Sequence, residues 1–233
     1  SNIFFVTDPG LMSLGLTKPT IAELKKNSEV KIFDKVEADP SLNTLLKAID
    51  EAKSFKATGI IGFGGGSSMD IAKLVALILG SNEDLDNIWG VANAKGPRLP
   101  LVLIPTTAGT GSEVTPISII TLENDEKRGV SSPLILPDLS ILDPVLTVGL
   151  PSEITAATGI DAIVHAIEAY TSCNSNNNFI SKILSIEALK LLGSSIEKAV
   201  LEGSNMEARS NMLIGSMLAG KAFANSPVAA VHA

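Results

Sequence analysis

Cysteine, histidine and aromatic side chains are all scarce in this chain of 233 residues. The one cysteine, Cys173, excludes an internal disulfide bond and is typical of a reducing compartment. Only two histidines are present, so a site built on one of them has a single further imidazole to draw on. The net charge of -7 argues against a nucleic-acid partner, because neutralising phosphates requires clustered lysine and arginine.

Long hydrophobic runs are absent as well. The longest, such as Ile71–Leu79, are too short to cross a bilayer, and the start at Ser1–Asp8 lacks the basic region of a signal peptide. We therefore predict a soluble, cytoplasmic protein without a membrane partner. Hydrophobic residues make up 45% of the chain, which is enough for a sizeable core. The chain begins directly with a predicted strand and ends inside a segment at Ala233, so we expect part of a longer protein.

Hydrophobic periodicity divides the sequence into two parts. Up to about Gly149, short β-rich runs alternate with amphipathic helical patterns, which predicts an α/β domain with a Rossmann-like, mostly parallel sheet. From Pro151 the strand signals end and three long helical patterns follow, so we predict domains at residues 1–150 and 151–233. The predicted strands are 3–6, 30–33, 59–63, 99–104, 117–122, 127–130 and 140–142; the predicted helices are 21–26, 42–55, 69–79, 152–172, 179–201 and 205–225.

A run of small residues, Gly64, Gly65, Gly66 and Ser67, follows a predicted strand and opens a helix. Backbone N–H groups without side chains around them, together with the helix dipole, favour a pyrophosphate there. The run is neither the G-x-G-x-x-G fingerprint nor a P-loop, and a tight turn between strand and helix is the structural alternative. Asp8, after the first strand, could bind the ribose hydroxyls of NAD and repel the 2′-phosphate of NADP. Its alternative role is that of a turn residue.

A second loop rich in glycine and hydroxyl groups follows the strand at residues 99–104. Two such loops, each after a strand, favour a dinucleotide as the ligand of this domain. The hydroxyl groups of this loop, suited to phosphate and nicotinamide amide groups, belong to Thr106, Thr107, Thr110 and Ser112.

The segment Gly159–Tyr170 carries an acid and an imidazole on one predicted helix. Asp161 and His165 are four residues apart, so they project from the same face. Both are metal donors, and a divalent cation would offset the cost of burying them. The alternative is that Asp161 caps the helix and His165 is a core histidine with a hydrogen bond. His232 is the only other imidazole available to the pair.

Taken together, these motifs resemble the iron-containing (group III) alcohol dehydrogenases. The similarity runs in order along almost the whole chain, through Val6–Asp8, Gly64–Lys73, Pro105–Glu113, Asp143-Pro144, Gly159–Tyr170, Ala208-Arg209 and Asn225–Ala233. It implies a dehydroquinate synthase-like architecture, in which an NAD(P)-binding α/β domain precedes an all-helical metal domain and the cofactor lies in the cleft between them.

The resemblance also implies a role for each matching residue. Asp8 matches the acidic residue that binds the adenosine ribose. The pyrophosphate loop is matched by Gly65, Gly66 and Ser67. The second cofactor loop is matched by the hydroxyl groups of residues 106–112. Lys127 falls near a family lysine that binds the cofactor, with Arg128 as its rival. Asp161, His165 and His232 match three of four metal ligands, for Fe²⁺ or alternatively Zn²⁺. The fourth ligand and a further histidine would lie beyond Ala233, so a chain that ended there would bind metal weakly.

The function implied is an NAD-dependent interconversion of a small alcohol with its aldehyde or ketone, by a homodimer or larger assembly. One alternative is a nucleotide-binding fragment without activity. Another is a glycerol dehydrogenase-like relative, whose motifs differ from Gly109–Glu113. A 3-dehydroquinate synthase is disfavoured, because the segment after Pro151 offers few basic residues for a phosphorylated acid.

Overall fold

The computed structural model describes residues 1–226. The strands are β1 (Asn2–Val6), β2 (Glu29–Phe33), β3 (Gly59–Gly64), β4 (Gly90–Val91), β5 (Leu101–Pro105), β6 (Ile117–Thr121), β7 (Lys127–Ser131) and β8 (Leu139–Ser140). The α-helices are α1 (Pro9–Leu14), α2 (Lys18–Leu24), α3 (Leu42–Phe55), α4 (Gly66–Ser81), α5 (Ser152–Thr171), α6 (Phe179–Leu201) and α7 (Met206–Asn225). Within this range, none of the helices combines the length and hydropathy that a membrane span requires.

By its internal contacts the chain divides into two units. The first unit comprises residues 1–105 and 116–141, and the second comprises residues 106–115 and the chain from Leu142 onward. The predicted division into a cofactor domain at 1–150 and a metal domain at 151–233 stays a prediction.

The first unit is built on a parallel sheet with the strand order β2-β1-β3-β5-β8. This confirms the predicted Rossmann-like sheet. Every residue of β3 is buried, as expected of a central strand in a parallel sheet. The helix α4 is apolar around most of its circumference, and its residues from Ser68 to Ile78 are buried except Asp70.

A three-stranded sheet with the order β4-β7-β6 is held to α4 by two side chains of that helix. The Lys73 ammonium is fully buried and donates to the carbonyl of Ile117 at 2.7 Å. The Asp70 carboxylate accepts a hydrogen bond from the Ile119 N–H at 2.9 Å. Both side chains therefore connect the glycine-led helix to strand β6, and Asp70 acts as a structural brace.

Helix α1 was not predicted, and helices α2 and α4 start earlier than periodicity predicted, at Lys18 and Gly66. Helix α1 occupies a segment expected to be a turn, although Asp8 at its N-cap and Pro9 at its first position are helix-start signals. Helix α4 begins at Gly66 and not at Met69, because glycine and serine add nothing to an apolar repeat. Gly66 and Ser67 are therefore first-turn residues.

The second unit packs α5, α6 and α7 around small residues. Its core contains Ala162, Ala166, Leu192, Met212 and Leu213. The helices approach closely because a Cβ on Gly159 would lie 2.6 Å from the Met212 Cε, and one on Gly215 would lie 2.7 Å from the Leu192 Cγ.

Arg209 on α7 ties the start of the helical unit together. Its guanidinium is buried and donates to the Gly203 carbonyl at 2.8 Å and the Thr155 hydroxyl at 2.9 Å. Burial lowers the pKa of this guanidinium from its ordinary value. The side chain thus links α7 to the first turn of α5, which carries the predicted metal ligands farther along.

We expect Asp138→Asn to weaken the first unit in a pH-dependent way. Arg98 donates to both Asp138 oxygens, at 2.7 and 2.9 Å, and this hydrogen bonding lowers the pKa of the carboxyl although partial burial opposes it. A lowered folded-state pKa stabilises the fold above the ordinary pKa of about 4, and the gain is lost as the pH falls through the folded value.

The Asp138 side chain is 58% exposed, so the loss near neutral pH should be only about 1 kcal/mol. Urea unfolding of both proteins across the acid range measures it. The two free energies of unfolding should converge as the pH drops below about 4. A difference that stayed constant with pH would contradict the ionic explanation.

Candidate functional site

The carboxyl ends of β1 and β3 lie side by side at the point where the order of the strand connections reverses. From β1 the chain proceeds to β2 on one side, and it returns to β3 on the other side of β1. The two strands are parallel, with Val6 opposite Gly62. Ligands of open α/β sheets bind outside the carboxyl ends at such a reversal. Here those ends carry Thr7-Asp8 and the glycine run from Gly64, the two segments that the sequence singled out.

Gly64 has a backbone that only glycine adopts readily. Its φ is 153°, and a Cβ at this position would lie 2.7 Å from the Ser68 hydroxyl and 3.4 Å from the Asp8 Oδ2. The Asp8 carboxylate therefore stands beside the glycine run, as the dinucleotide interpretation requires of a ribose acid near a pyrophosphate loop.

Asp8 also has a structural role. Its Oδ1 accepts a hydrogen bond from the Leu11 N–H at 2.9 Å and so caps α1. The structural role is thus that of a helix cap and not of the turn residue considered from the sequence, and it engages one of the two carboxylate oxygens. The other oxygen, Oδ2, is the one that faces Gly64.

The N-terminus of α4 lies at the same edge of the sheet. Its N-cap is Gly65, which makes no side-chain capping bond, and the helix continues for 16 residues. Gly65, Gly66 and Ser67 are each only partly buried. First-turn N–H groups and the positive end of the helix dipole at such a place suit an anionic group such as a pyrophosphate.

The loop after β5 belongs to the second unit. Thr106 and Ser112 are buried, Thr107 is partly buried and Thr110 is exposed. The Thr110 hydroxyl accepts from the Ser112 N–H at 3.3 Å, just before a short 3-10 turn at Ser112–Val114. The hydroxyls of Thr107 and Thr110 are thus the ones that the loop leaves accessible, while Thr106 and Ser112 help to fill its interior.

Asp161 and His165 lie together on α5 in the second unit. The helix begins at Ser152, so Asp161 is well inside it and does not cap it. The Asp161 Oδ2 is 3.9 Å from the His165 Nδ1, too far for a hydrogen bond between these atoms. Carboxylate and imidazole groups are both common ligands of divalent metals. The donor pair, one carboxylate and one buried imidazole, therefore fits a divalent metal.

The His165 ring is held against an aromatic side chain. Its centroid lies 4.5 Å from that of Phe223 on α7, with the planes tilted by 32°. Both residues are buried. The stacking fixes the imidazole plane, which is a requirement for a ligand whose nitrogen must point in one direction.

The other predicted site residues are placed as follows. Lys127 opens β7, is exposed, and pairs through its Nζ with the Asp39 carboxylate at 2.7 Å. His232 lies outside the described residues. Among residues 1–226, no group of three or more His, Cys, Asp or Glu side chains is arranged to hold a metal. Phe223 was missed, because an aromatic residue in a mostly apolar helix has no sequence signal that names its partner.

Comparison with protein families gives a consistent result over both units. The family of iron-containing alcohol dehydrogenases matches residues 1–144. The C-terminal family of Fe-containing alcohol dehydrogenases matches residues 155–233.

Individual relatives agree with the family matches. Long-chain-alcohol dehydrogenase 1 of Geobacillus thermodenitrificans is 44% identical over 236 residues, covering all of this chain and 59% of the relative. The crystal structure of a 1,3-propanediol oxidoreductase superposes with a TM-score of 0.95 at 36% identity, covering all of this chain and 61% of the other. Sulfoacetaldehyde reductase from Bifidobacterium kashiwanohense, in complex with NAD+, superposes with a TM-score of 0.88 at 29% identity and the same coverage.

This chain therefore spans about 60% of the length of these relatives. The family matches cover both the segment of the glycine run and the segment of the Asp161–His165 pair, and the relatives align over the entire chain. The chain belongs to the iron-containing alcohol dehydrogenase family.

Proposed function

We propose that the protein is a metal-dependent, NAD-linked dehydrogenase that interconverts a small alcohol and its aldehyde or ketone. The observation that carries the proposal is the Asp161–His165 pair on one face of α5, next to a ring-stacking partner and in the same unit as the hydroxyl-rich loop. The activity named for the aligned relatives, alcohol dehydrogenation or its reverse, supports this reaction class.

The first unit would bind the adenosine end of the cofactor. Asp8 and the Gly64–Ser67 segment lie side by side at the sheet reversal, with the N-terminus of α4 beside them. The pyrophosphate would accept hydrogen bonds from the first-turn N–H groups, and the Asp8 carboxylate would accept from a ribose hydroxyl. Its negative charge would repel a 2′-phosphate, so we propose NAD in preference to NADP.

The second unit would bind the reacting end. Asp161 and His165 would hold a divalent cation, Fe²⁺ or alternatively Zn²⁺, with His232 as a further ligand. When bound, such a cation supplies Lewis acidity toward the substrate oxygen. The Thr107 and Thr110 hydroxyls would orient the nicotinamide end, so that hydride transfer takes place between preset positions of alcohol and cofactor. Lys127 stays a predicted cofactor residue, and its contact with Asp39 would have to open for that role.

The test is an assay on the full-length protein loaded with Fe²⁺. NADH is added with a panel of short- and long-chain aldehydes, and the loss of nicotinamide absorbance is followed. We expect turnover with at least one aldehyde, and slower turnover with NADPH. Tight NADH binding without turnover of any aldehyde, with iron bound, would instead favour a nucleotide-binding protein without dehydrogenase activity. The cytoplasmic location and the homodimeric or larger assembly stay predictions.

A further inference from the structure

The hydroxyl-rich loop of the second unit touches helix α7 through two glycines. Gly111 has a φ of 60°, and a Cβ on it would lie 2.7 Å from the Gly220 Cα. A Cβ on Gly220 would lie 3.0 Å from both the Cα and the carbonyl oxygen of Gly111, and 2.9 Å from the Val114 Cγ2. Because carbon atoms ordinarily keep about 3.5–4.0 Å apart, neither glycine can be enlarged without moving backbone.

The same loop touches helix α5 through a third glycine. A Cβ on Gly109 would lie 2.8 Å from the Thr158 Cβ and 3.0 Å from the Thr158 carbonyl oxygen. The loop is therefore fixed at two points, two residues apart in its own sequence, on two different helices. Thr110 lies between these points and is the exposed hydroxyl of the loop.

Both points lie close to the level of the predicted metal pair along their helices. Asp161 follows Thr158 by three residues, and Phe223, which stacks on His165, follows Gly220 by three. Residues three apart share a helix face and differ by about 4.5 Å along the axis. The Gly109 contact is thus within one helical turn of Asp161 along α5, and the Gly220 contact is within one turn of the Phe223 ring along α7.

We propose that Gly220 is a positioning residue for the cofactor. By letting the loop backbone approach α7, it would set the distance from the Thr107 and Thr110 hydroxyls to the Asp161–His165 pair. The inference rests on the proposed function, since it takes this loop as the one that holds the nicotinamide end. It assigns to a glycine without functional groups a role in the geometry of hydride transfer.

The variant Gly220→Ala tests this role. Alanine favours a helix over glycine, so the substitution should cost nothing unless the contact matters. The added Cβ would displace the loop by up to about 1 Å, and a displacement of that size should lower kcat/KM by about 10- to 100-fold. We expect the dissociation constant of NADH to rise, iron content to stay at the wild-type level, and amide hydrogen exchange to quicken in residues 106–115.

Gly193→Ala is the matched control, because Gly193 is an exposed residue of α6 and an added Cβ would meet no atom within 4 Å. It should leave kcat/KM, NADH affinity, iron content and loop exchange all unchanged. Unaltered loop exchange and NADH affinity in Gly220→Ala would overturn the proposal, and so would loss of iron with NADH affinity intact, since α7 would then have moved in place of the loop. If the wild-type protein failed to bind NADH, the proposed function would fail, whereas loop exchange would still decide whether Gly220 positions the loop.

Discussion

Replacing His165 with alanine should abolish turnover while leaving NADH binding intact. The imidazole is one of two donors that face each other on α5, 3.9 Å apart, and it is buried against Phe223. Without it, a cation would keep one donor of the pair. Lewis acidity is worth several kcal/mol to a reaction of this kind, so activity should fall by about 1000-fold or more. The cofactor contacts proposed for Asp8 and the glycine run lie in the other unit and would be unaffected.

Iron content and NADH affinity are the decisive measurements for this variant. Removing a buried ring also leaves a cavity, which should cost about 2–4 kcal/mol of stability, so a lower melting temperature alone decides nothing. Asp161→Asn therefore serves as a second variant, because it keeps the shape of a partly exposed side chain and removes only the charge. Ile160→Ala is the control, since that side chain is 53% exposed. Full turnover or full iron content in His165→Ala would rule out a metal site at this pair.

Local patterns in the sequence predicted which helix or strand end carries each site residue. They predicted less well which residues of other elements these side chains contact. The spacing of Asp161 and His165 placed them on one helix face, and the structure has them there. Asp8 and Gly64 could each be assigned to the end of a strand. That the Asp8 Oδ2 faces Gly64 depends on β1 and β3 being neighbours, which is a matter of strand order and not of periodicity.

Contacts between helices could not be predicted at all. The stacking of Phe223 on His165 and the approach of Gly220 to Gly111 join residues far apart in the sequence, and each depends on how α5, α7 and the loop pack. A helix composed largely of small and apolar residues, such as α7, has no clear polar face from which its orientation could be read. For the same reason Gly220 carried no signal in the sequence, although the structure gives it a defined contact.

Replacing Gly64 with alanine should produce the opposite pattern to His165→Ala, with iron retained and NADH binding lost. At φ 153° an L-residue is strained, and the new Cβ would lie 2.7 Å from the Ser68 Oγ and 2.9 Å from the Ser68 Cβ, inside the first turn of α4. The turn would have to move away from β3, and the Asp8 Oδ2, 3.4 Å from the new atom, would be crowded as well. Isothermal titration with NADH should show an affinity at least about 100-fold weaker, because losing two hydrogen bonds from backbone N–H groups to a charged phosphate costs about 3 kcal/mol or more.

Two further variants separate binding from folding. Gly129→Ala in β7 is the control, because its Cβ would meet only ordinary contacts at 3.6 and 4.0 Å, and it should bind NADH normally. Adding Ser68→Ala to Gly64→Ala removes the 2.7 Å contact but neither the strain nor the 2.9 Å contact, so it should restore stability more than affinity.

If Gly64→Ala bound NADH as tightly as the wild type, the crevice at the β1–β3 reversal would not hold the pyrophosphate. If both Gly64→Ala and His165→Ala lost iron and NADH together, the assignment of the adenosine end of the cofactor and the metal to separate units would be wrong.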